Sequence, residues 1–299
     1  MARLFNGVEI EDTFAEAFGM WSARIIITAV NPKWAREAAV QMTGFATSVI
    51  ACGCEAGIEG EVDRTPDGRA GVSVLVFAMS KDALVRQLVN RIGQCVLTCA
   101  TTACFNGLSA EEQVSIGGQI RFFGDGYQIS KLIGCRRYWR IPAMEGEFLI
   151  EDKFGVQRAI GGGNFLILGS DQTVTLEAAE RAIDAMQRVP GVVMPFPGGI
   201  VRSGSKVGSK YKFLRASTND AFCPSLRSTV SSALPEGVNS VLEIVIDGLD
   251  VPAIEQATRA GIQAACIPGI HRISAGNYGG NLGKFKFYLN KILDGTAPE

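Results

Sequence analysis

Glu243 is the residue whose type and surroundings best suit proton transfer. It lies in the apolar segment 241–246 (VLEIVI). A carboxyl group among apolar neighbours loses hydration, which raises its pKa and allows it to stay protonated near neutral pH. Such a group can serve as a general acid. The alternative is a solvent-facing residue, because alternate strand side chains point outwards. Glu243 would share its face with Val241 and Val245, which favours the catalytic interpretation.

Residues 202–212 (RSGSKVGSKYK) form a basic segment rich in Gly and Ser. Glycine lets a backbone approach a ligand closely, and Ser and Lys side chains can contact its anionic groups. The composition is equally typical of a flexible hairpin connection. The segment lacks the GxxxxGK[ST] spacing, and no GxGxxG stands at a strand-to-helix turn. The sequence therefore indicates neither a P-loop nor a Rossmann site.

Several other residues are weaker candidates for chemistry. Asp125 stands between two glycines, where an aspartate is more commonly a turn former. Glu55 and Glu59 are further candidate acids. Phe122 and Phe123 could stack on a planar ring of a ligand, although phenylalanine in strands is usually part of the core.

The cysteines and the single histidine do not favour a metal centre. Cysteines in a chain of this length without an export signal are typically reduced, buried small residues. Their spacings match no common zinc or iron–sulfur pattern, so we predict no metal site. His271 has no motif partner and is expected to be structural. The eight cysteines are Cys52, Cys54, Cys95, Cys99, Cys104, Cys135, Cys223 and Cys266.

Composition narrows the class of protein. The 299 residues include 29 basic and 30 acidic side chains, so we expect no nucleic-acid or anionic-membrane partner. The N-terminus has acidic residues where a signal peptide needs an apolar core, and no run is long enough to span a bilayer. A cytoplasmic protein is expected. Hydrophobic residues make up 47% and charged residues 20%, which favours burial of surface between copies of the chain.

The second half of the chain contains two strand–helix–strand patterns. Residues 164–169 predict a strand, 173–188 a helix with apolar residues at helical spacing, and 192 the entry to a second strand. Residues 240–246, 252–265 and 271–275 repeat this order. A Pro-Gly pair follows both helices and cannot continue them.

The first half shows a fainter version of the same patterns. Strands are predicted at residues 24–30, 46–51, 72–79 and 94–99, and helices at 32–41 and 81–91. One crossover helix between strands in each unit is typical of a split β-α-β arrangement.

These patterns predict an α+β fold with two ferredoxin-like split β-α-β lobes per subunit. We expect an N-terminal lobe, termed proximal, at residues 1–150 and a C-terminal lobe, termed distal, at 151–299. The last strand is able to return to the first lobe. Helices would cover one face of each sheet and leave the other free for contact.

Long segments of the chain resemble the formylmethanofuran:tetrahydromethanopterin formyltransferases. The opening segment NGVEIEDTFAEAF matches this family, as do TGFATSVI, RIGQCVLT and FFGDG. The resemblance runs nearly from end to end. Its segments lie at residues 6–18, 43–50, 55–59, 65–69, 91–98, 122–126, 195–201, 203–207, 216–219 and 273–280.

The resemblance implies formyl transfer between formylmethanofuran and N5 of tetrahydromethanopterin or a close pterin analogue, by direct amine attack through a tetrahedral intermediate, in one-carbon metabolism. The two carriers are substrates, bearing carboxylates and, on the pterin carrier, a phosphate, and no prosthetic group is used. It also implies a homotetramer built as a dimer of dimers, with active sites in clefts between subunits. Association with formylmethanofuran dehydrogenase or hydrolase subunits is a further implication. The alternative function is a non-catalytic scaffold subunit of the same fold in such a complex.

The resemblance supplies candidate site residues as well. A Glu at the matching strand position supports Glu243 as the catalytic acid, and the polar and glycine-rich loops are expected to bind the carriers. The predicted contacts are Phe123, Gly124, Asp125, Gly126, Arg202, Ser203, Ser205, Lys206, Ser217, Thr218, Asn219 and Asn277.

The chain departs from the family pattern at two turns. Where the family commonly shows Met-Cys-Pro-Ala, this chain has Ala-Cys-Gly-Cys at residues 51–54. Thr-Cys-Ala-Thr at 98–101 replaces Thr-Ala-Pro-Thr. Loss of both prolines leaves these turns less constrained, which bears on the carrier variant and the rate more than on the reaction type.

Overall fold

The computed structural model describes residues 3–202 and 204–295. Its strands are β1 (Arg3–Phe5), β2 (Val8–Ile10), β3 (Phe14–Ala29), β4 (Glu55–Val62), β5 (Ala70–Ala78), β6 (Ala103–Asn106), β7 (Gln113–Ser115), β8 (Ile129–Ile133), β9 (Arg136–Ala143), β10 (Gly146–Glu151), β11 (Lys153–Gly155), β12 (Gln157–Gly169), β13 (Val192–Val193), β14 (Ser205–Val207), β15 (Ala216–Thr218), β16 (Ser240–Gly248), β17 (Ile270–Ser274) and β18 (Phe285–Tyr288). Its α-helices are α1 (Pro32–Thr43), α2 (Lys81–Arg91), α3 (Gly117–Ile120), α4 (Gln172–Met186), α5 (Val251–Ala265) and α6 (Leu289–Asp294).

The chain divides into two units. The unit formed by Met1–Gly19, Ser48–Ala51 and Ile160–Glu299 is called the C-terminal unit, and the unit formed by Met20–Thr47 and Cys52–Ala159 the N-terminal unit. Both combine antiparallel strand pairs with crossover helices. The α+β class predicted from the sequence is therefore confirmed.

In the N-terminal unit the strands follow the order β4-β5-β3-β6-β10-β9-β8, with antiparallel neighbours except for the parallel pair β6–β10. Helix α1 connects β3 to β4, and α2 connects β5 to β6. Buried side chains of β3 and β5, such as Ile25 and Val74, share one hydrophobic core with Ala38 of α1 and Leu84 of α2.

In the C-terminal unit the strands follow the order β1-β2-β17-β12-β16-β13, antiparallel except for β2–β17. Helix α4 leaves β12 and α5 leaves β16. The N-terminal strands β1 and β2 thus extend the sheet of the C-terminal unit. The last strand, β18, pairs with residues 14–17 of β3, which belong to the same unit.

A side-chain cap begins each of the four crossover helices. An Asx or Ser side chain accepts a hydrogen bond from a backbone N–H of the first turn, which would otherwise lack an intrahelical partner. The caps are Asn31 for α1, Ser80 for α2, Asp171 for α4 and Asp250 for α5.

The two faces of the C-terminal sheet differ in what covers them. Phe165 of β12 and Ile244 of β16 are buried in the core that includes α4 and α5. Leu166 and Val241 belong to a separate apolar cluster, because strand side chains alternate between faces. Glu243 has the same parity as Val241 and therefore lies on the face opposite the helices.

Most predicted elements are confirmed, and α2 has the predicted bounds. Two predicted strands are wrong. Residues 46–51 contain no strand, because the partner of β5 begins later, at Glu55. Residues 94–99 overlap the π-helical turn Ile92–Val96, which continues α2, and the next strand begins at Ala103. Apolar residues in short runs fit either a strand or a buried helix end.

The division between the units also differs from the predicted boundary at residue 150. Residues 151–159 belong to the N-terminal unit, because β10 pairs with β6 and β11 with β7. The first 19 residues belong to the C-terminal unit, where β2 pairs with β17.

Candidate active site

Glu243 lies in the middle of β16 with its backbone held on both sides. On one side it stands opposite Leu166 of β12. On the other it forms an isolated bridge with Val201, donating its N–H to the Val201 carbonyl at 2.9 Å and accepting one at 2.8 Å. These bonds fix the direction in which the partly buried side chain leaves the sheet.

The carboxyl group of Glu243 borders a cavity of about 590 Å³. Leu166, Leu176 and Phe222 contribute apolar walls, and Arg202 and Asn219 contribute polar groups. A concave pocket that combines apolar walls with convergent polar groups is a typical site for a small molecule.

Burial raises the pKa of Glu243 to about 7. Loss of hydration disfavours the charged carboxylate, and among the described residues none donates a hydrogen bond to it that would offset this loss. A substantial fraction of the carboxyl groups is therefore protonated at neutral pH. Such an environment is suited to a general acid.

Part of the basic segment, from Ser205 onwards, belongs to a hairpin. Strand β14 pairs with β15, so that Lys206 stands opposite Ser217. The Lys206 ammonium donates to Asp220 at 2.7 Å, and this bond lowers the pKa of Asp220. The Ser217 hydroxyl donates to the Gly208 carbonyl at 2.8 Å. Ser205 and Thr218 pair with each other at the end of the hairpin.

Two of the predicted contacts, Arg202 and Asn219, line the same cavity as Glu243. Arg202 is exposed, and Asn219 is partly buried. Ser203 lies outside the described residues. The structure thus brings three predicted site residues together around one cavity.

Asn277 is exposed and is held by the start of β3. Its side-chain amide donates to the Thr13 hydroxyl at 3.2 Å and to the Phe14 carbonyl at 3.1 Å. Its own oxygen accepts from the N–H of Gly279 at 3.1 Å. These bonds shape the loop that follows β17.

The predicted contacts at residues 123–126 belong to the N-terminal unit. Phe123 and Gly124 end a 3-10 turn, and Phe123 is 69% exposed. Asp125 has a left-handed backbone with φ of 50°, which confirms its turn-forming role, and Gly126 follows it with φ of 90°.

The two weaker candidate acids also lie in the N-terminal unit and have different surroundings. Glu59 accepts two hydrogen bonds from Arg24, at 2.6 and 2.7 Å, and one from Ser73 at 2.6 Å. Glu59 is therefore an ion-pair partner of Arg24. Glu55 is 7% exposed.

Glu16 is a buried acid that the sequence interpretation missed. It is 1% exposed, and its carboxylate accepts four backbone N–H bonds from Tyr278, Gly280, Leu282 and Gly283. Burial by itself would raise the pKa of Glu16, but the four bonds outweigh it and lower the pKa. Two sequence features could have indicated this residue. An acid stands among apolar residues in the segment FAEAF, and a glycine-rich loop lies near the other end of the chain.

Among the described residues, no cluster of His, Cys, Asp and Glu has the geometry to hold a metal ion. Burial raises the pKa of Cys266 to about 11 and raises that of Cys104 as well. His271 is exposed on β17. No helix in the described ranges is both long and apolar enough to span a membrane.

Two family models together match nearly the whole chain. The model described as formylmethanofuran-tetrahydromethanopterin formyltransferase matches residues 4–143. The second model, described as the proximal lobe of the same formyltransferase family, matches residues 146–292. That description gives the term proximal to the C-terminal part, whereas the sequence interpretation gave it to the N-terminal part.

Full-length relatives are similar throughout. The formylmethanofuran–tetrahydromethanopterin formyltransferase of Methylococcus capsulatus is 60% identical over 296 residues, covering 97% of this chain and 99% of the relative. A component of the formyltransferase/hydrolase complex of Methylorubrum extorquens is 51% identical over 304 residues, covering 98% of both chains.

Two solved structures share the fold. The formyltransferase of Methanosarcina barkeri superimposes with a TM-score of 0.93 at 51% identity, covering 97% of this chain and all of that one. The formyltransferase/hydrolase complex of Methylorubrum extorquens, solved with methylofuran, contains a chain with a TM-score of 0.95 at 50% identity. That match covers 98% of this chain and 99% of its counterpart.

The raised pKa of Glu243 predicts a loss of stability at alkaline pH. Below pH 4.5, its ordinary pKa, both folded and unfolded chains are protonated and the group contributes nothing. As the pH rises to about 7, the unfolded chain ionises first, so the folded state loses stability. We expect Glu243→Gln to remove this loss and to raise the free energy of unfolding at alkaline pH by about 2–3 kcal/mol. Urea unfolding of both proteins at acid and alkaline pH measures this difference in the free energy of unfolding.

The matched control is Glu236→Gln, which changes an exposed glutamate of the same unit. It should leave the pH dependence of unfolding as in the wild type. A Glu243→Gln variant that is no more stable than the wild type at alkaline pH would contradict the desolvation of this carboxyl.

Proposed function

The chain belongs to the formylmethanofuran–tetrahydromethanopterin formyltransferase family, and we propose that Glu243 is the general acid of its formyl-transfer reaction. Methanofuran and tetrahydromethanopterin are the carrier substrates of this enzyme. Relatives that match the whole chain at 51–60% identity carry the names of formyltransferases or of a component of a formyltransferase/hydrolase complex. They do not favour a non-catalytic scaffold.

The reaction requires orientation, stabilisation of negative charge and one proton. The pterin N5 attacks the formyl carbon and forms a new C–N bond, the carbonyl oxygen becomes an oxyanion, and N5 loses its proton. The C=O bond then re-forms as the bond to the methanofuran nitrogen breaks, and this nitrogen takes up a proton and leaves as an amine. The attacking amine is a neutral nucleophile and needs no Ser-His or Cys-His pair. Holding two carriers in register can supply roughly 7–11 kcal/mol of the barrier.

The observation that carries the proposal is the carboxyl group of Glu243 beside its cavity. It is partly buried, accepts no hydrogen bond from the described residues and has a pKa of about 7. A donor with a pKa near the operating pH combines a large protonated fraction with a strong tendency to release the proton. It can thus protonate the leaving amine or hydrogen-bond the oxyanion.

Arg202 and Asn219 are proposed to bind a carrier in the same cavity. A guanidinium group pairs well with the carboxylates and phosphate that the carriers bear. The ammonium group of Lys206 is already paired with Asp220, which reduces its availability. We assign the rest of the hairpin, including Ser205, to shaping the entrance.

Each unit is further proposed to be a ferredoxin-like lobe. In the N-terminal unit, the core order β4-β5-β3-β6 with helices after β3 and β5 is the split β-α-β arrangement. The order β13-β16-β12-β17 in the C-terminal unit, with α4 and α5 as crossovers, has the same form.

A homotetramer is the assembly that we propose. All five residues of β8 are exposed, Ile129 and Leu132 among them, and Phe122 and Phe123 are also more than half exposed. Apolar side chains in such numbers favour a contact with another chain. Association with a hydrolase is proposed by analogy with the relative that is named as part of such a complex.

Substitution of Glu243 tests the acid directly. Glu243→Gln keeps the shape and a hydrogen-bond donor but removes the transferable proton, so we expect kcat to fall by about 10²–10⁴. The wild-type rate should decline as the pH rises through about 7, because the protonated form is the working form. That decline should be absent in Glu243→Gln. Steady-state assays of formyl-pterin formation across pH measure both.

The size of the effect separates the two possible roles. A small loss in Glu243→Gln with a much larger loss in Glu243→Ala would favour oxyanion binding alone. Wild-type kcat in both variants, with both proteins folded, would show that Glu243 is not catalytic.

Arg202→Ala tests the proposed anion contact. Removal of the guanidinium should raise KM for at least one carrier, by about tenfold or more, with a smaller change in kcat. Lys206→Ala is the matched control on the neighbouring hairpin, and we expect a smaller rise in KM because its charge is paired with Asp220. Equal KM values in Arg202→Ala and the wild type would remove Arg202 from the site.

A further inference from the structure

We propose that Glu16 is a positioning residue for formyl transfer, whose carboxylate holds the loop 277–283 so that Tyr278 lies over the sheet face that carries Glu243. The inference rests on the function proposed above, and it adds a residue that acts through the loop. Glu16 lies on β3, and the loop connects β17 to β18.

The carboxylate of Glu16 is a template for this loop. One oxygen accepts the N–H of Tyr278 at 2.7 Å and that of Gly280 at 2.9 Å. The other accepts the N–H groups of Leu282 and Gly283, each at 2.5 Å. Charge-assisted bonds of this length are among the stronger hydrogen bonds in proteins. One buried side chain thus fixes four backbone positions.

Glycine at residue 283 makes this close approach possible. A Cβ at Gly283 would lie 2.6 Å from the Ala17 carbonyl oxygen and 2.8 Å from Cγ of Glu16. Both distances are shorter than any normal contact, so a side chain here would push the loop away from the carboxylate. Gly280 has φ of 75°, a backbone conformation that favours glycine.

The start of the loop lies on the same sheet face as Glu243. Leu166 stands opposite Glu243 on one neighbouring strand and opposite Ser274 on the other. Asn164, two residues earlier on β12, shares this face. Its side chain accepts the N–H of Gly276 at 2.6 Å and donates to the Gly276 carbonyl at 3.1 Å. The chain after β17 is therefore held to the Asn164 side chain, which lies on this face one side-chain row from Glu243.

Tyr278 is the group that the loop places there. It is partly buried, and its ring centroid lies 6.3 Å from that of Phe18. Burial is the main cause that raises the pKa of Tyr278, followed by the charges of Glu243 and Glu16. The phenol is therefore a neutral hydrogen-bond donor. A donor in this position can orient a carrier or its developing oxyanion.

Opposite environments give the two glutamates complementary roles. Four amide bonds keep Glu16 charged, and desolvation keeps Glu243 largely protonated. Environments that separate the pKa values of two carboxyl groups commonly separate their functions. Glu16 holds the structure, and Glu243 acts on the substrate.

The first test removes the template in two independent ways. Glu16→Gln replaces one acceptor oxygen with an NH₂ group, which cannot accept the two N–H bonds that oxygen received. Gly283→Ala displaces the loop while leaving the carboxylate intact. Gly19→Ala is the matched control, because its Cβ would meet only Phe285, at an ordinary 3.9 Å. Hydrogen–deuterium exchange of the loop peptide should accelerate in the first two variants and not in the control.

The kinetic expectation distinguishes positioning from simple loss of folded protein. Both loop variants should raise KM for one carrier and lower kcat, with kcat/KM falling by about 10–100-fold, as expected for a small misplacement of a binding group. Loss of folded enzyme would instead lower the maximal rate in proportion and leave both KM values unchanged. Thermal unfolding of each variant measures the folded fraction.

A double-mutant cycle identifies Tyr278 as the residue that is positioned. Tyr278→Ala should lower kcat/KM strongly in the wild type and little in Glu16→Gln, because the loop there no longer places the ring. Additive effects would contradict the proposed coupling.

The outcomes also separate this proposal from the one for Glu243. Suppose that Glu243→Gln is inactive, while Glu16→Gln frees the loop and keeps wild-type kcat and KM. The positioning role of Glu16 is then wrong, and the assignment of Glu243 as the acid is retained. If Glu243→Gln keeps full activity, the acid assignment fails, whatever Glu16 does. An unchanged hydrogen–deuterium exchange rate of the loop in Glu16→Gln would show that the Glu16 carboxylate does not hold the loop.

Discussion

Desolvation of the Glu243 carboxyl is the constraint on which the rest of the site depends. A partly buried carboxylate without hydrogen-bond donors is unfavourable, and the group responds by holding its proton to about pH 7. The fold maintains this state because β16 is bonded on both sides, to β12 and to Val201. These backbone bonds keep the Cα–Cβ bond of Glu243 directed to this face of the sheet. Side chains alternate between the faces of a strand, so Ile244 is buried against the helices and Glu243 lies on the opposite face.

The helix-free face of the C-terminal sheet holds the proposed functional groups, which come from distant parts of the chain. Arg202 and Asn219, on either side of the β14–β15 hairpin, line the cavity beside Glu243, and we propose that the loop after β17 adds Tyr278. Strand pairing alone brings β16 and β17 to the two sides of β12. Glu16 then reaches this assembly from the start of the chain. A buried charge at that position is tolerated because four amide dipoles replace its water.

The sequence predicted more of the fold than of the site. Helical spacing located α2, α4 and α5, and the Pro-Gly pairs ended the helices of the second half, because these signals are local. The strand predicted at residues 94–99 failed because a short apolar run fits a buried helix end as well as a strand. Glu243 was predictable from its apolar neighbours. Glu16 was not, because its partners are backbone amides more than 260 residues away, and amides carry no side-chain signal.

The roles of the loop residues could not be predicted from the sequence either. Arg202, Asn219 and Lys206 look alike in sequence as polar residues near glycines, but the structure pairs Lys206 with Asp220 and leaves Arg202 at the cavity. Residues 123–126 belong to the N-terminal unit. Which polar side chains are paired depends on tertiary contacts, and these are set by the register of strands far apart in the chain.

The most direct measurement is the titration of the Glu243 carboxyl in the intact protein. Infrared difference spectra between the wild type and Glu243→Gln, recorded across pH, isolate the signal of this one group. We predict a protonated carboxyl band that disappears with a midpoint near pH 7. A midpoint near 4.5, the ordinary value for a glutamate, would show that Glu243 is already ionised at neutral pH and would contradict its role as the acid.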